Sequence, residues 1–415
     1  SSYLDILRDN CRRKLTLSTY DKPGDCKSLR LCKSRICMLR PQPLYCTRQS
    51  NNIGGVLLMC EQYISNEVKK QINENFDIPP APGVDLSQYS PGDKPWDTHR
   101  GECQQLAMKL STVDEDRYIM RQAERLSRCA PWLVFATAKT KGEDTGDQLQ
   151  FRLHRAEFCR VRTCPVCQWR RSMLTVARIM SALPLVLEKY PTMRLIHLVL
   201  TVRNVAITEL KVTLNEMNKG FHRMIRRSIF TRAVKGFIRS TEVTRGSDNT
   251  AHPHFHVMLA VPEYYFTHSS VYITHDGWRN LWADCARLNY LPQISITAFR
   301  TGSHQRLAKA VHELAKYATK PSDLIDAPLP WLVEYIHQVY KLRFLSAGGI
   351  LRDALAQADE NYENENLITV GEEKSDNSDI IRQSLFDWHP LASRYRHTET
   401  KINPSLVVTP SPETR

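Results

Sequence analysis

The stretch from Thr241 to Ala260 reads TEVTRGSDNTAHPHFHVMLA, and the organisation of the chain can be worked out from it. Its turn-forming residues GSDNT lie between two runs with strand-like composition, which are predicted to pair as an antiparallel hairpin. Alternate residues of a strand point to the same side of a sheet. His254 and His256 are therefore expected to share one face, while Phe255 enters the core from the other.

Two imidazoles on one strand face lie about 6.5 to 7 Å apart along the strand, close enough for both to bind one divalent cation. Glu242 lies on the preceding strand, across the predicted hairpin. A carboxylate with two neutral imidazoles suits Mg²⁺, Mn²⁺ or Zn²⁺. The alternative is that His254 and His256 are exposed or hydrogen-bonded strand residues that bind no metal.

A second set of candidate ligands lies in CRVRTCPVC, where Cys159, Cys164 and Cys167 are spaced C-x4-C-x2-C. A C-x2-C turn lets two thiolates converge on one Zn²⁺. The fourth ligand is expected to be Cys129, with His154 as the other candidate. Four sulfurs would form a structural zinc site. The alternative is a set of unliganded cysteines.

The chain has 415 residues, a net charge of +13 and 12 cysteines. The surplus of positive charge is typical of proteins that bind polyanions, and nucleic acid is the first candidate. No apolar run is long enough to span a membrane, and the first residues do not resemble a secretion signal. Cysteines at metal spacing, rather than disulfides, indicate a cytoplasmic protein.

Several basic residues are candidates for contacts with DNA phosphates. Arg170 and Arg171 follow the cysteine motif, and a basic helical stretch covers residues 219–235. The candidates in that stretch are Arg223, Arg226 and Arg227. A solvated basic surface is the alternative for these side chains, because exposed arginines are common without a nucleic-acid partner.

Composition divides the chain into four parts. Residues 1–95 are a basic, cysteine-containing segment with a linker, and residues 96–190 are a helical and zinc-binding region. Residues 191–355 contain the predicted hairpin and further helices. Residues 356–415 are acidic and polar and are predicted to form a weakly ordered tail.

A helix is predicted over residues 303–320, which include HELAKY. Glu313 and Tyr317 lie one turn apart on it, at the border between its apolar stripe and its polar side. Lys316 and Lys320 lie on the polar side and are further candidates for contacts with DNA phosphates. The alternative for Tyr317 is a core residue with a solvated hydroxyl.

The motifs CRVRTCPVC, HLVLTVRN, GFIRSTEVT, HPHFHVML and HELAKY occur in this order. Together they resemble the HUH-endonuclease replication initiators of rolling-circle plasmids, over about residues 96–320. The resemblance implies an α+β fold, with a central antiparallel sheet and flanking helices in an RRM-like HUH nuclease core over residues 191–355, plus a small zinc-binding region.

The resemblance also implies residue roles. His254, His256 and Glu242 would hold a catalytic Mg²⁺ or Mn²⁺, and structural Zn²⁺ would be separate. Tyr317 would be the nucleophile that nicks one DNA strand. Glu313 would activate the water of the last step, as in the single-tyrosine branch of these initiators.

The implied function is initiation of plasmid rolling-circle replication. Nicking of one origin strand would give a 5′-phosphotyrosine and a free 3′-hydroxyl primer, and a later reaction would rejoin or terminate. The expected partners are single-stranded or hairpin origin DNA and the host helicase and polymerase, with no membrane. The alternatives are a transposase or relaxase of the same superfamily, and a non-catalytic zinc-containing protein that binds DNA.

Overall fold

The structure is a computed structural model that describes residues 76, 78–142, 146–299, 304–315, 319–363 and 380–403. These residues form two antiparallel sheets with packed helices, so the predicted α+β class is confirmed. The strands are β1 (Trp132–Gly142), β2 (Gly146–Ala156), β3 (Met193–Thr201), β4 (Gly236–Arg245), β5 (Ala251–Pro262), β6 (Ile294–Ala298), β7 (Leu345–Gly348), β8 (Ile380–His389) and β9 (Arg394–Ile402).

Helices pack on both faces of the five-stranded sheet and on one side of the four-stranded sheet. In chain order they are α1 (Leu86–Tyr89), α2 (Lys94–Leu110), α3 (Arg117–Ser127), α4 (Pro165–Lys189), α5 (Leu210–Met224), α6 (Ser228–Ala233), α7 (His275–Ala286), α8 (His304–Ala315), α9 (Pro321–Ile325), α10 (Leu329–Gln338) and α11 (Gly349–Glu363). Among the described residues, none of these helices combines the length and the apolar character that a membrane crossing requires.

The larger sheet has five strands in the order β6-β3-β5-β4-β7, and every neighbouring pair is antiparallel. The predicted hairpin is its centre, with β5 between β3 and β4. The register places Glu242 opposite His254 and Ser240 opposite His256. Residues that face each other in an antiparallel pair point to the same side, so these four side chains share one face of the sheet.

The alternation along β5 separates two cores. Phe255 is fully buried and packs against Phe221 of α5 and Trp282 of α7, with ring centroids 6.0 and 6.1 Å away. On the opposite face, Met258 and Ala260 are buried under α4, α8 and α11. The two histidines therefore lie on the face that these three helices cover, nearer the beginning of β5.

The predicted helix over residues 303–320 is shorter in the structure. Val311 and Leu314 of α8 are buried as the apolar stripe requires, and the described helix ends at Ala315. Residues 316–318 lie outside the described residues. The expectation that the helix reaches Lys320 is wrong, because Lys320 precedes Pro321 and has extended backbone as the N-cap of α9.

The smaller sheet overturns the prediction of a weakly ordered tail from residue 356. Helix α11 extends to Glu363, and β8 and β9 complete a sheet in the order β2-β1-β8-β9. Every second residue of β8 is buried, and Phe386 packs edge-on against Phe135 of β1, with ring centroids 5.9 Å apart. This alternation is local to β8, whereas the acidic stretch between α11 and β8 dominates the composition of the segment as a whole.

Polar contacts fasten β8 and β9 to α2 and to the region around Cys129. The hydroxyl of Tyr395 donates to the carbonyl of Ala130 at 2.6 Å, and the indole of Trp388 donates to Gln104 of α2 at 2.8 Å. Both aromatic side chains are buried, so these contacts satisfy polar groups inside the core. Residues 380–403 are therefore part of the unit that holds the cysteine motif.

Candidate functional site

Three potential metal ligands meet on β4 and β5. The Oε2 atom of Glu242 lies 2.9 Å from Nε2 of His256 and 3.3 Å from Nε2 of His254. Neighbouring ligands of an octahedral cation with bonds of about 2.1 Å are roughly 3.0 Å apart. The donor atoms are therefore already spaced as cis ligands of Mg²⁺ or Mn²⁺ would be, so these residues fit the cation expected here.

Burial strengthens the electrostatic interactions among the three side chains of this cluster. The side chains of Glu242, His254 and His256 are about a tenth exposed or less. Burial by itself raises the pKa of Glu242, but hydrogen bonds from the two imidazoles outweigh it and hold that pKa below its ordinary value. The carboxylate is therefore charged at neutral pH and is available as a cation ligand.

Neighbouring polar groups orient the imidazoles of His254 and His256. Nδ1 of His256 lies 3.3 Å from Nε2 of His197 on β3, and the two rings stack with centroids 5.4 Å apart. Nδ1 of His254 lies 3.2 Å from the backbone carbonyl oxygen of His252. A partner on one ring nitrogen fixes which nitrogen is left for a metal. Sequence reasoning missed His197, whose only signal was one polar residue within the apolar run HLVL.

Helix α8, which carries the first four residues of HELAKY, reaches the same face of the sheet. Glu313 is half-buried on α8, and its neighbours Val311 and Leu314 anchor the helix against the core. The predicted nucleophile Tyr317 and the predicted phosphate contact Lys316 lie outside the described residues. Lys320 is exposed at the start of α9. The roles of these residues therefore stay predictions.

The cysteine motif forms a compact four-sulfur cluster. Cys129 precedes β1, Cys159 follows β2, Cys164 is the N-cap of α4, and Cys167 lies in the first turn of that helix. The ligand atoms of these four cysteines all lie within 4.8 Å of one another. Cys129, rather than His154, completes the set.

The sulfur distances match a tetrahedral ion. Cys129 lies 3.4 Å from Cys164 and 3.7 Å from Cys167, and Cys159 lies 3.7 Å from Cys167. Sulfurs around a tetrahedral Zn²⁺ with bonds of about 2.3 Å are roughly 3.8 Å apart. Because burial raises the pKa of the Cys164 thiol, a cation would be needed to keep its thiolate. The donor set therefore suits Zn²⁺.

Backbone N–H groups support the same sulfurs. The N–H of Arg160 donates to Cys167 at 3.3 Å, and the N–H of Val161 donates to Cys159 at 3.4 Å. Arg160 has a φ of 56°, in the left-handed region, and this turns the chain back toward the cluster. A fifth thiol, that of Cys103 on α2, is buried 3.6 Å from the sulfur of Cys164 and was not anticipated from the sequence.

The two arginines after the cysteine motif have different environments. The guanidinium of Arg170 stacks on the ring of Phe158, 3.7 Å from its centroid, and burial lowers the pKa of Arg170. Arg171 is exposed. Of the pair, Arg171 is the side chain that a phosphate could reach without repacking.

The basic residues near the end of α5 mostly contact protein groups. Arg223 donates from Nε to the carbonyl of Cys285 at 2.6 Å, and Arg227 forms an ion pair with Asp284. Arg226 is exposed. The first two arginines fasten α5 to α7, which gives them a structural role whatever else they contact.

The chain is similar in sequence to known replication proteins. The model of a family described as "Replication protein" matches residues 150–396. "Protein rep" of Bacillus amyloliquefaciens is 32% identical over 302 residues, which are 67% of this chain and 85% of that protein. "Protein rep" of Lentilactobacillus hilgardii is 27% identical over 304 residues, 71% of this chain and 92% of that protein.

A third relative, "Protein rep" of Streptococcus pneumoniae, is 30% identical over 277 residues, 66% of this chain and 84% of that protein. No solved structure matches the chain. The family match includes the cysteine motif from Cys159, the hairpin with its histidines, and most of the C-terminal strand pair. The chain therefore belongs to the Rep family of replication proteins, which confirms its resemblance to the replication initiators of rolling-circle plasmids.

Proposed function

We propose that this replication protein initiates plasmid replication by nicking one strand of origin DNA with a tyrosine nucleophile. The observation that carries the proposal is the convergence of Glu242, His254 and His256 on one sheet face, with donor atoms 2.9 and 3.3 Å apart. Three protein ligands leave room on an octahedral cation for other oxygens. A bound Mg²⁺ or Mn²⁺ would offset the negative charge of a phosphodiester.

The residues of the cluster hold their positions before any substrate arrives. Glu242 and His256 are fixed by the central pairing of β4 with β5, and His197 supports the imidazole of His256 from β3. Rigid strands place catalytic groups more accurately than loops do. The two strands would thus hold the cation ligands, and through them the scissile phosphate, in a fixed position.

The proposed covalent step uses Tyr317. Its phenol oxygen forms a bond to phosphorus, and the bond from phosphorus to the 3′ oxygen breaks. The products are a 5′-phosphotyrosine and a free 3′-hydroxyl, and the proton that the 3′ oxygen gains balances the one that the phenol loses. Since an ordinary phenol has a pKa of about 10, this step needs a nearby base or positive charge.

Glu313 is proposed to act at the end of a replication round. Its half-buried position on α8, four residues before Tyr317, suits a general base that takes a proton from water. Hydrolysis would then resolve the last nick without a second tyrosine. The 3′-hydroxyl from the first nick would prime the host polymerase, with a host helicase opening the duplex.

The proposal is tested with an origin-strand oligonucleotide and Mn²⁺. The wild-type protein is expected to form a covalent adduct that denaturing gels resolve, while Tyr317→Phe forms none. Tyr272→Phe changes an exposed tyrosine in another part of the molecule and should leave the adduct yield unchanged. An adduct of normal yield with Tyr317→Phe would remove Tyr317 from this role.

The role of Glu313 is separated by a second measurement on the same substrate. Glu313→Ala should nick at a rate within a few-fold of wild type and lose about 100-fold in the hydrolysis that releases product, the usual range for a general base. Normal nicking together with normal release would contradict the water-activation role.

A further inference from the structure

A large basic cleft adjoins the metal-ligand cluster. It has a volume of about 1120 Å³ and lies between α3, the first half of α4, the segment from Tyr340 to Ala347, and α11. Pockets for small molecules usually hold about 300 to 1,000 Å³. At about 1120 Å³ this cleft is larger than that range, and it is partly open to solvent, as a polymer-binding groove would be.

The lining of the cleft is strongly cationic. Arg171, Lys341 and Arg343 are exposed in it, whereas Arg178 forms an ion pair with Asp359. Asp359 is the one carboxylate among the described residues that line the cleft. Since its charge is offset by Arg178, the remaining cations present an uncompensated positive surface to solvent, which attracts a polyanion.

Aromatic rings are interspersed with these cations. Tyr340 is exposed and meets Tyr118 edge-on, with ring centroids 5.4 Å apart, and Phe344 is half-buried beneath the guanidinium of Arg162. Unpaired bases stack on exposed aromatic faces, whereas the bases of a duplex are stacked on one another already. The combination of rings and cations favours a single strand over duplex DNA.

The cleft leads to the proposed nicking site. Ser240 lines the cleft and lies opposite His256 in the β4–β5 register. Leu314 and Ala315, which follow Glu313 on α8, line it as well. A strand lying in the cleft would therefore reach the face that carries the metal ligands.

The cysteine motif braces one wall of the cleft. Arg162, between Cys159 and Cys164, donates to the carbonyl of Leu342 at 2.6 Å, and Arg125 donates to the carbonyl of Cys159 at 2.6 Å. These bonds join the loop between Cys159 and Cys164 both to α3 and to the segment that carries Lys341 and Arg343. The spacing of the two walls thus depends on the four-sulfur cluster.

We infer that this cleft is the track along which one DNA strand runs to and from the nicking site, bound by phosphate contacts to Arg171, Lys341 and Arg343 and by base stacking on Tyr340. This inference rests on the proposed function for the identity of its ligand. The binding surface itself can be tested without any chemistry.

The test measures fluorescence anisotropy of a labelled oligodeoxythymidylate of about 20 nucleotides with the full chain in EDTA, so that no cleavage occurs. The variant carries Arg171→Gln, Lys341→Gln and Arg343→Gln. Losing three phosphate contacts should reduce the slope of log affinity against log salt by about 2 and weaken binding roughly 10- to 100-fold at low salt.

A control variant carries Arg121→Gln, Lys189→Gln and Lys211→Gln, three exposed cations outside the cleft. It has the same change in net charge and is expected to bind within about threefold of wild type, with an unchanged salt slope. Thermal unfolding checks that both variants are folded. Equal losses in the two variants, or no loss in the cleft variant, would overturn the inference.

A ring substitution tests the preference for single strands. Tyr340→Leu keeps the charge of the cleft and removes a stacking surface worth about 1 to 3 kcal/mol per base. It should weaken binding of the single strand at least about fivefold and leave binding of a duplex of the same length unchanged. Equal effects on both ligands would contradict stacking in the cleft.

The outcomes separate this inference from the proposed function. If the wild-type protein forms no adduct yet loses single-strand affinity through the cleft substitutions, the proposed nicking fails and the cleft stands. If the adduct forms normally while the cleft variant binds and nicks as wild type does, the nicking stands and the cleft is not the track.

Discussion

The two clusters of potential metal ligands in this protein are built in different ways. The cysteine cluster draws four sulfurs from loops and from a helix N-terminus, and its sulfurs are held by backbone N–H groups. The histidine cluster draws three donors from two paired strands in the middle of a sheet. Four sulfurs complete a tetrahedral ion, whereas two imidazoles and one carboxylate leave an octahedral cation with vacant positions.

Because the two clusters differ in ligand number, we expect them to have different roles. A cation whose ligands are all supplied by the protein can only stabilise structure. The loop between Cys159 and Cys164, which such a cation would stabilise, contacts α3 and the segment from Tyr340 to Ala347. A cation with vacant positions can bind an oxygen of a substrate. We therefore expect loss of the first cluster to be a loss of folding and loss of the second to be a loss of chemistry.

The largest expected effect is that of Cys164→Ala. Removing a buried sulfur from the cluster should release the zinc and lower the free energy of unfolding by on the order of 4 kcal/mol or more. Zinc content by elemental analysis and the midpoint of thermal unfolding measure both effects. Cys285→Ala, at a fully buried cysteine of α7 outside the cluster, should keep the zinc and lose less stability. A Cys164→Ala protein with full zinc content would contradict the assignment.

The reverse pattern is expected for Glu242→Gln. The amide keeps the shape of the side chain but removes the charge, so affinity for Mn²⁺ should fall about 100-fold or more while the midpoint of thermal unfolding shifts by only a few degrees. Calorimetric titration of the protein with Mn²⁺ measures the affinity. Glu263→Gln removes a carboxylate whose side chain is 55% exposed, and it should bind Mn²⁺ as wild type does. Wild-type affinity in Glu242→Gln would separate this carboxylate from the metal.

The smallest effect is expected for His197→Phe. Phenylalanine keeps a ring stacked on His256 but removes the nitrogen that lies 3.3 Å from its Nδ1. Loss of such an orienting partner typically weakens metal binding about 10-fold to 100-fold, and we expect the lower end because the stacking remains. The same Mn²⁺ titration gives the value. A loss as large as that of Glu242→Gln would instead indicate that His197 is itself a ligand.

The hairpin and the convergence of both sets of candidate ligands could be predicted from the sequence because they depend on local periodicity. His254 and His256 are two residues apart on a strand, and the GSDNT turn fixes which residue of β4 lies opposite them. The C-x2-C spacing similarly brings Cys164 and Cys167 together at the first turn of α4. In each case a few covalently close residues determine the geometry.

The features that the sequence did not reveal depend on contacts between distant segments. Cys103 and His197 join the clusters from α2 and β3, and nothing in their local sequence distinguishes them. The cations Lys341 and Arg343 line the same cleft as Arg171, although the segments that form its walls are far apart in the chain. The strands β8 and β9 were missed because an acidic stretch before them dominated the average composition of the segment.

The pairing of β1 with β8 also has a consequence for how the chain is made. The two strands are separated by about 250 residues, and a ribosome adding roughly 5 to 20 residues each second needs tens of seconds to make the intervening chain. During that interval one edge of β1 has no neighbour to pair with, and such an edge can recruit other nascent chains. Slow translation or a crowded polysome should therefore reduce the yield of this protein more than the yield of one whose sheets pair locally.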